Sequence, residues 1–199
     1  MRIVSISDTH GQHRNLSLPD GDLFIHAGDA SNGRPGELED FIEWMVNLPF
    51  EHKIFVPGNM DYAMERDPDR YLAQMSGIDC LIDKSVTLEG LLIHGSPVVP
   101  NFVGVFNRSR GEEIKRHWDL IPAEVDVLIT HGPPSGILDR TSSGLEVGCQ
   151  DLLATFGRIR PKVHVFGHVH EGYGRMREGG TQFLNVSYGW GNGPIVVDL

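Results

Sequence analysis

Five short motifs rich in carboxylate, imidazole and amide side chains each follow directly after an apolar run. They are Asp8-Thr9-His10, His26-Ala27-Gly28-Asp29, Gly58-Asn59, Thr130-His131-Gly132-Pro133-Pro134 and Gly167-His168-Val169-His170. Alone, each motif is a weak signal, since a Gly-Asp pair is usually only a turn. Together they predict that many polar groups converge at one edge of a sheet, where leaving them uncompensated would be costly. Metal ions are the simplest compensation.

The convergent side chains supply candidate metal ligands with oxygen and imidazole donors. These ligands are Asp8, His10, Asp29, Asn59, His131, His168 and His170. The set contains no thiolate, which argues against a structural zinc site, and its imidazoles argue against Mg²⁺ or Ca²⁺ alone. Mn²⁺, iron or catalytic Zn²⁺ fits better. Asp29 is the natural bridge between two ions, because one carboxylate has two oxygens to share.

Charge counting indicates what such a centre would attract. Two divalent ions outweigh the charges of Asp8 and Asp29, so the pocket would stay positive and bind an anion. Two ions roughly 3.5–4 Å apart can hold a phosphoryl group and activate a water between them. The chain as a whole has a formal net charge of -10, which makes a long nucleic acid an unfavourable partner.

Short apolar runs alternate with segments of helical periodicity, a pattern typical of an α/β sheet with buried strands. We predict strands at 3–6, 23–25, 54–56, 127–129 and 163–166, terminal strands at 183–186 and 195–197, and a hairpin at 86–93. Apolar residues at helical spacing predict helices at 35–48, 111–118 and 144–158. Because functional loops lie at the carboxyl ends of the strands in such sheets, this order places the five motifs together.

The length of the chain fits one domain spanning residues 1–199. Its two cysteines, Cys80 and Cys149, indicate no disulfide framework and suit a reducing compartment. The first apolar run is too short for a signal peptide, and no stretch approaches the ~18 apolar residues of a membrane helix. We therefore expect a cytoplasmic protein that does not span a membrane, and the sequence gives no indication of its oligomeric state.

The motifs resemble those of the calcineurin-like metallophosphoesterases, especially the metallophosphoesterase-domain-containing subfamily, also called the 239AB type. The resemblance covers essentially the whole chain. It rests on the strings Ser7-Asp8-Thr9-His10, Ile25-His26-Ala27-Gly28-Asp29, Ile129-Thr130-His131-Gly132-Pro133-Pro134 and His164-Val165-Phe166-Gly167-His168-Val169-His170-Glu171-Gly172-Tyr173-Gly174.

This resemblance implies a four-layer αββα sandwich with two metal ions, usually Mn²⁺. One ion would bind Asp8, His10, Asp29 and His170, and the other would bind Asp29, Asn59, His131 and His168. The implied reaction is the hydrolysis of small phosphodiesters, including 2′,3′- and 3′,5′-cyclic nucleotides.

One position departs from the family pattern, since its Gly-Asn-His-Asp motif is Gly58-Asn59-Met60-Asp61 in this chain. The family's histidine is thought to protonate the leaving oxygen, and a thioether carries no transferable proton. Losing a general acid slows a reaction by about 10²–10⁴-fold, so we expect a metal-loaded site with slow or selective turnover. His94 is an alternative proton donor. The remaining candidate catalytic residues are Asp29, Asn59, Asp61 and His131.

Several further residues have both a functional and an ordinary interpretation. Asn59, Asn107 and Arg108 are candidate substrate contacts, and Arg108 with Arg110 could clamp a phosphate, although a solvated surface explains both arginines equally well. Phe102, Phe106 and Trp190 could stack on a base or belong to the core. His26 fits the core better than a position behind the metal ligands, and His13 is expected at the surface.

Three functions are compatible with the sequence. The first is a phosphodiesterase in which a hydroxide activated by two metals attacks a small phosphodiester or nucleotide. The second is a nucleotide-binding protein with little catalysis, which Met60 supports and the complete ligand set opposes. The third is a nuclease acting on single-stranded ends, which would need a basic groove that a net charge of -10 does not offer.

Overall fold

The computed structural model describes residues 1–189 and 191–199. Its strands are β1 (Arg2–Ile6), β2 (Leu23–His26), β3 (His52–Phe55), β4 (Asp79–Cys80), β5 (Lys84–Leu88), β6 (Leu91–Ser96), β7 (Val99–Pro100), β8 (Asn107–Arg108), β9 (Val127–Thr130), β10 (Val163–Phe166), β11 (Gly174–Glu178), β12 (Thr181–Asn185) and β13 (Ile195–Asp198). Its α-helices are α1 (Glu37–Val46), α2 (Tyr62–Arg66), α3 (Pro68–Leu72), α4 (Glu112–Trp118) and α5 (Gln150–Thr155).

Most of the strands belong to two sheets with parallel centres. The first sheet has the order β13-β1-β2-β3-β4, and the second has the order β11-β12-β10-β9-β6-β5. In the first sheet only β13 runs antiparallel to its neighbour. In the second sheet β6, β9, β10 and β12 are parallel, and the edge strands β5 and β11 are antiparallel. Parallel neighbours need crossover connections, which carry the helices to the outer faces.

Aliphatic side chains fill the space between the two sheets. Ile3, Ile25 and Ile54 of the first sheet pack in one buried cluster with Ile129 and Val165 of the second sheet. Each such side chain contributes roughly 1.5–3 kcal/mol when it is fully buried. Because both faces of these strands are covered, their sequences are continuous apolar runs rather than alternating ones.

Helices cover the outer face of each sheet. Phe41 of α1 packs with Phe24 on the first sheet. Trp118 of α4 and Leu152 of α5 pack with Leu128 on the second sheet. The order of helix, sheet, sheet and helix confirms the predicted four-layer αββα sandwich. None of the helices in the described part of the chain combines the length and the hydropathy that crossing a bilayer would require.

Two features differ from the predictions. The helix predicted at 144–158 is only the short α5, because the Gly148 N–H donates to the buried carboxylate of Asp139 at 2.9 Å and Cys149 is extended. The prediction that His13 lies at the surface was wrong. His13 is buried with Nε2 2.9 Å from Oδ2 of Asp40, and aromatic side chains of α1 pack against its ring.

Backbone hydrogen bonds join the carboxyl ends of strands from both sheets. The Ser7 N–H donates to the carbonyl of Val186 at 3.0 Å, which links the first sheet to the second. The Gly167 N–H donates to the carbonyl of His131 at 2.8 Å. The loops that follow β1, β2, β3, β9 and β10 therefore meet at one edge, where the sequence motifs predict a functional site.

Candidate metal centre

A first cluster of potential ligands forms where the loops after β1 and β10 meet. Ligand atoms of Asp8, His10 and His170 lie within 4.8 Å of one another. Oδ1 of Asp8 is 3.5 Å from Nε2 of His170, and the ring centroids of His10 and His170 are 5.4 Å apart. The backbone N–H of His168 donates to Oδ2 of Asp8 at 3.0 Å, which ties the two loops together.

A second cluster forms where the loops after β2, β3, β9 and β10 meet. Ligand atoms of Asp29, His131 and His168 lie within 4.8 Å of one another. Asn59 adds an amide, since its Oδ1 is 2.9 Å from Nε2 of His131. The structure thus brings all seven candidate ligands into two adjacent groups with only oxygen and imidazole donors.

The carboxylate of Asp29 touches both clusters. Its Oδ1 lies 3.4 Å from Nε2 of His131 in the second cluster. Its Oδ2 lies 3.9 Å from Nε2 of His10 in the first cluster. Each oxygen of one carboxylate therefore faces a different group of imidazoles, which is the geometry that a shared ligand requires.

Four of the seven candidate ligands have a left-handed backbone. The angle φ is 56° for Asp8, 45° for His10, 53° for Asp29 and 70° for His168. Non-glycine residues rarely adopt this region, and strain of this kind costs about 1–3 kcal/mol per residue and concentrates at functional sites. Sequence reasoning missed this feature, because residue type alone does not indicate a positive φ at an aspartate or histidine.

The electrostatics of the clusters fit a cation. Oδ1 of Asp8 is buried and accepts no hydrogen bond of normal geometry from the residues that the structure describes. Burial opposes ionisation of Asp8, but interactions with His170 and His131 hold the pKa of this carboxyl below its usual range. Burial also opposes protonation of His131, yet the carboxylates of Asp29 and Asp8 raise its pKa to about 9. A proton held this firmly marks a region of negative potential that a divalent ion would neutralise.

Contacts behind the clusters orient the ligands. Nδ1 of His131 is 2.9 Å from the carbonyl oxygen of Ala27, so Nε2 is the nitrogen that faces Asn59 and Asp29. Such bonds fix the orientation of an imidazole ligand. Residue 58 must be glycine, because a Cβ there would overlap Oδ1 of Asp29 and lie 2.7 Å from Cε1 of His131.

The loop between β7 and β8 orients the amide of Asn59. Nδ2 of Asn59 donates to the carbonyl of Val103 at 2.9 Å, and the Val105 N–H donates to the carbonyl of Asn59 at 2.9 Å. With Nδ2 bonded to this loop, Oδ1 is directed towards His131. Gly104 lies between the two contacts with φ of 93°, and a Cβ there would overlap the carbonyl of Asn59.

We expect Gly104→Ala to weaken binding of Mn²⁺ about tenfold, because the added methyl group must displace the loop that orients the Asn59 amide. Calorimetric titration of the metal-free chain measures the affinity. Gly90→Ala is the matched control, since Gly90 has φ of 81° at a hairpin tip and a Cβ there meets nothing within 4 Å. If Mn²⁺ binding weakened equally in both variants, backbone strain alone would explain the loss of affinity.

Met60 and Asp61 support the ligand loops through hydrogen bonds. The backbone N–H of half-buried Met60 donates to Oδ1 of Asp29 at 2.7 Å. The buried carboxylate of Asp61 accepts from the N–H groups of Ser31 at 2.9 Å and Gly58 at 2.8 Å. Burial, together with the nearby Asp29, raises the pKa of Asp61 to about 6. These contacts give Asp61 a structural part, and its part in catalysis stays a prediction.

The structure does not bring His94, Asn107 or Arg108 into either cluster. His94 is buried in β6, where its Nδ1 lies 2.8 Å from Oγ of Ser85, and burial lowers its pKa to about 4. Oδ1 of Asn107 accepts from the N–H of Phe102 at 2.8 Å. Arg108 donates to the carbonyl of Asn107 at 2.7 Å. The predicted parts of these residues in proton transfer and substrate binding stay predictions that no described contact supports.

The structure shows which of the residues with both a functional and an ordinary interpretation lie in the core. His26 is buried, and burial lowers its pKa to about 3, so it is a neutral core residue. Phe106 belongs to the core beside the first sheet. Phe102 is 70% exposed, with its ring centroid 5.5 Å from that of His168. Trp190 lies outside the described residues.

Comparison with known proteins identifies the family of the chain. The family model described as calcineurin-like phosphoesterase matches residues 1–172. The chain is 40% identical to metallophosphoesterase domain-containing protein 1 of Homo sapiens and to that of Mus musculus, over 100% of this chain and 71% of each relative. Phosphopantetheinyl hydrolase from Mycobacterium tuberculosis shares the fold, with a TM-score of 0.65 and 18% identity over 94% of this chain and 89% of that one. The chain therefore belongs to the calcineurin-like phosphoesterase family and is a metal-dependent phosphoesterase.

Proposed function

We propose that this phosphoesterase hydrolyses small phosphodiesters such as cyclic nucleotides and that it uses two divalent ions, with Mn²⁺ preferred over iron and zinc. The observation that carries the proposal is the pair of ligand clusters joined by Asp29. The mixture of imidazole and oxygen donors without thiolate supports metals of intermediate softness.

The residues of the chain would divide between two sites. One site consists of Asp8, His10, Asp29 and His170, and the other consists of Asp29, Asn59, His131 and His168. When bound, the ions would supply positive charge that stabilises the phosphoryl oxygens and would acidify the water that serves as nucleophile. The chain itself orients these ligands through Ala27, Val103 and Met60, so little reorganisation is needed when substrate binds.

The charges around the site favour a diester over a monoester. A diester carries one negative charge, whereas an ionised monoester carries up to two and needs more cationic contacts. Arg108 lies 3.6 Å from Glu65, and Arg110 donates to the carbonyls of Val147 and Gly148. Both guanidinium groups therefore already contact other groups of the protein, which leaves them less able to bind a second negative charge of a substrate. The net charge of -10 opposes a dianion further.

The shared core supports a single domain, and the cysteines support a reducing compartment. Both sheets share the inter-sheet cluster, and both contribute ligands to the same edge, so we infer that residues 1–199 act as one metallophosphoesterase domain. The two cysteines are unpaired, which supports a cytoplasmic site of action.

Activity measured with several metals and substrates tests the proposal. We expect the Mn²⁺-loaded chain to hydrolyse bis(4-nitrophenyl) phosphate and cyclic nucleotides at least about tenfold faster than 4-nitrophenyl phosphate. The panel compares Mn²⁺, Fe²⁺, Zn²⁺ and Mg²⁺. Faster hydrolysis of the monoester with every metal would contradict the preference for diesters. Faster cleavage of single-stranded oligonucleotides, with a steep salt dependence of binding, would instead favour a nuclease.

A further inference from the structure

A cleft of about 440 Å³ opens beside the second ligand cluster. His168 forms part of its wall, so the cleft is continuous with the candidate metal centre. Other parts of the wall come from Pro133, Val147 and Val169, which are apolar. A cleft of this size with a mostly apolar lining is suited to a small organic group.

Phe102 presents a large apolar ring to this cleft. Its side chain is 70% exposed, and its ring lies edge-to-face against His168 with the planes at 89°. The backbone N–H of Phe102 donates to Oδ1 of Asn107 at 2.8 Å, and Nδ2 of Asn107 donates to the carbonyl of Gly104 at 2.8 Å. The chain thus holds an exposed aromatic side chain in place next to a candidate metal ligand.

Arg110 joins two of the segments that line the cleft. Its guanidinium donates to the carbonyl of Gly148 at 3.0 Å and to the carbonyl of Val147 at 3.1 Å. These contacts connect the segment after β8 with the segment before α5, so the cleft is preformed. The guanidinium is engaged with backbone oxygens, and the cleft therefore lacks a free arginine fork for a second phosphate.

Carboxylates contribute the charge of the cleft. Glu146 and Glu171 are exposed and form part of its lining. Oε1 of Glu171 accepts from the backbone N–H of Ser142 at 3.1 Å. Two exposed carboxylates in the wall disfavour an anionic group and can accept hydrogen bonds from N–H donors.

We propose that this cleft binds the ester group of the substrate and that it selects a neutral, planar aromatic or heteroaromatic ring, such as a nucleobase, which stacks on Phe102. The inference rests on the proposed function, because the phosphoryl group is taken to lie at the metal centre. Stacking on an aromatic side chain tolerates different rings, since every ring has a π face. The cleft therefore selects for aromaticity and low charge rather than for one base.

Binding of two phosphonates to the Mn²⁺-loaded chain tests the proposal without turnover. We expect 2-naphthylphosphonate to bind about tenfold more tightly than methylphosphonate, because only the aryl compound reaches Phe102. Phe102→Ala is expected to remove most of this preference and to leave the affinity for methylphosphonate within about twofold. Leu120→Ala is the matched control, since Leu120 is 56% exposed and is not part of the cleft lining.

Equal affinity for the two phosphonates, absence of aryl phosphonate binding, or a preference that persists in Phe102→Ala would overturn the assignment of the cleft. Hydrolysis of bis(4-nitrophenyl) phosphate, measured in parallel, separates this inference from the proposed function. Selective aryl binding without diester hydrolysis would support the cleft and contradict the phosphodiesterase. Diester hydrolysis without aryl selectivity would support the proposed phosphodiesterase and contradict the assignment of the cleft.

Discussion

Asp29→Ala is expected to lower phosphoesterase activity by at least about 10³-fold, because one carboxylate touches both ligand clusters. Its two oxygens lie 3.4 Å from Nε2 of His131 and 3.9 Å from Nε2 of His10. Replacing any other candidate ligand leaves one cluster complete, whereas this change removes a donor from both. We therefore also expect the bound metal to fall from two ions per chain to one or fewer, as measured by elemental analysis.

Asp126→Ala is the control for this loss. Asp126 accepts from the Leu92 N–H at 2.9 Å and lies 2.9 Å from Lys162. It immediately precedes β9 and is therefore at the opposite edge of the sheet from the ligands. This variant should keep both ions and full activity. An Asp29→Ala chain that retains two ions and wild-type turnover would show that this carboxylate does not bridge metals.

Met60→His is expected to raise activity about 10²-fold on phosphodiesters with poor leaving groups and less than tenfold on 4-nitrophenyl diesters. A poor leaving group needs a proton as the bond to phosphorus breaks, whereas 4-nitrophenolate leaves without one. The backbone N–H of Met60 donates to Oδ1 of Asp29 at 2.7 Å, so residue 60 is adjacent to the carboxylate that touches both clusters. Comparing kcat for phenyl and 4-nitrophenyl diesters measures the difference.

Met60→Gln separates proton donation from polarity, because an amide is polar and cannot act as a general acid at neutral pH. The Met60→Gln variant should therefore show no selective increase in kcat on diesters with poor leaving groups. If Met60→His accelerates both substrates equally, or neither, then another group already supplies the proton. His94 would be a poor candidate for that group, because it is buried and bonded within the β5–β6 hairpin.

The buried strands and the convergence of the ligands were predictable from the sequence because both depend on simple patterns, whereas the four-layer arrangement was implied by the family resemblance. Strands buried on both faces must be continuous apolar runs, as in Val163–Phe166. A parallel centre then places the residues after each strand at one edge, where Asp8 and His168 meet although they are far apart in the chain. The predicted hairpin at 86–93 followed from turn residues, and the structure confirms it.

Features that depend on tertiary contacts were not predictable. The short helices α2 and α3 span only five residues each, too few for a helical period to be recognised. The extended conformation before α5 depends on Asp139, which accepts the Gly148 N–H. The contact between Asn59 and Val103 joins residues on separate loops. The left-handed backbone at His10 and His168 is imposed by the fold rather than by residue type.

Anomalous diffraction at the manganese edge, from crystals grown with Mn²⁺, is the most direct test of the shared-carboxylate centre. We predict two peaks, one beside Asp8, His10 and His170 and the other beside Asn59, His131 and His168, with Asp29 coordinating both. A single peak, or two peaks that do not share Asp29, would contradict the account.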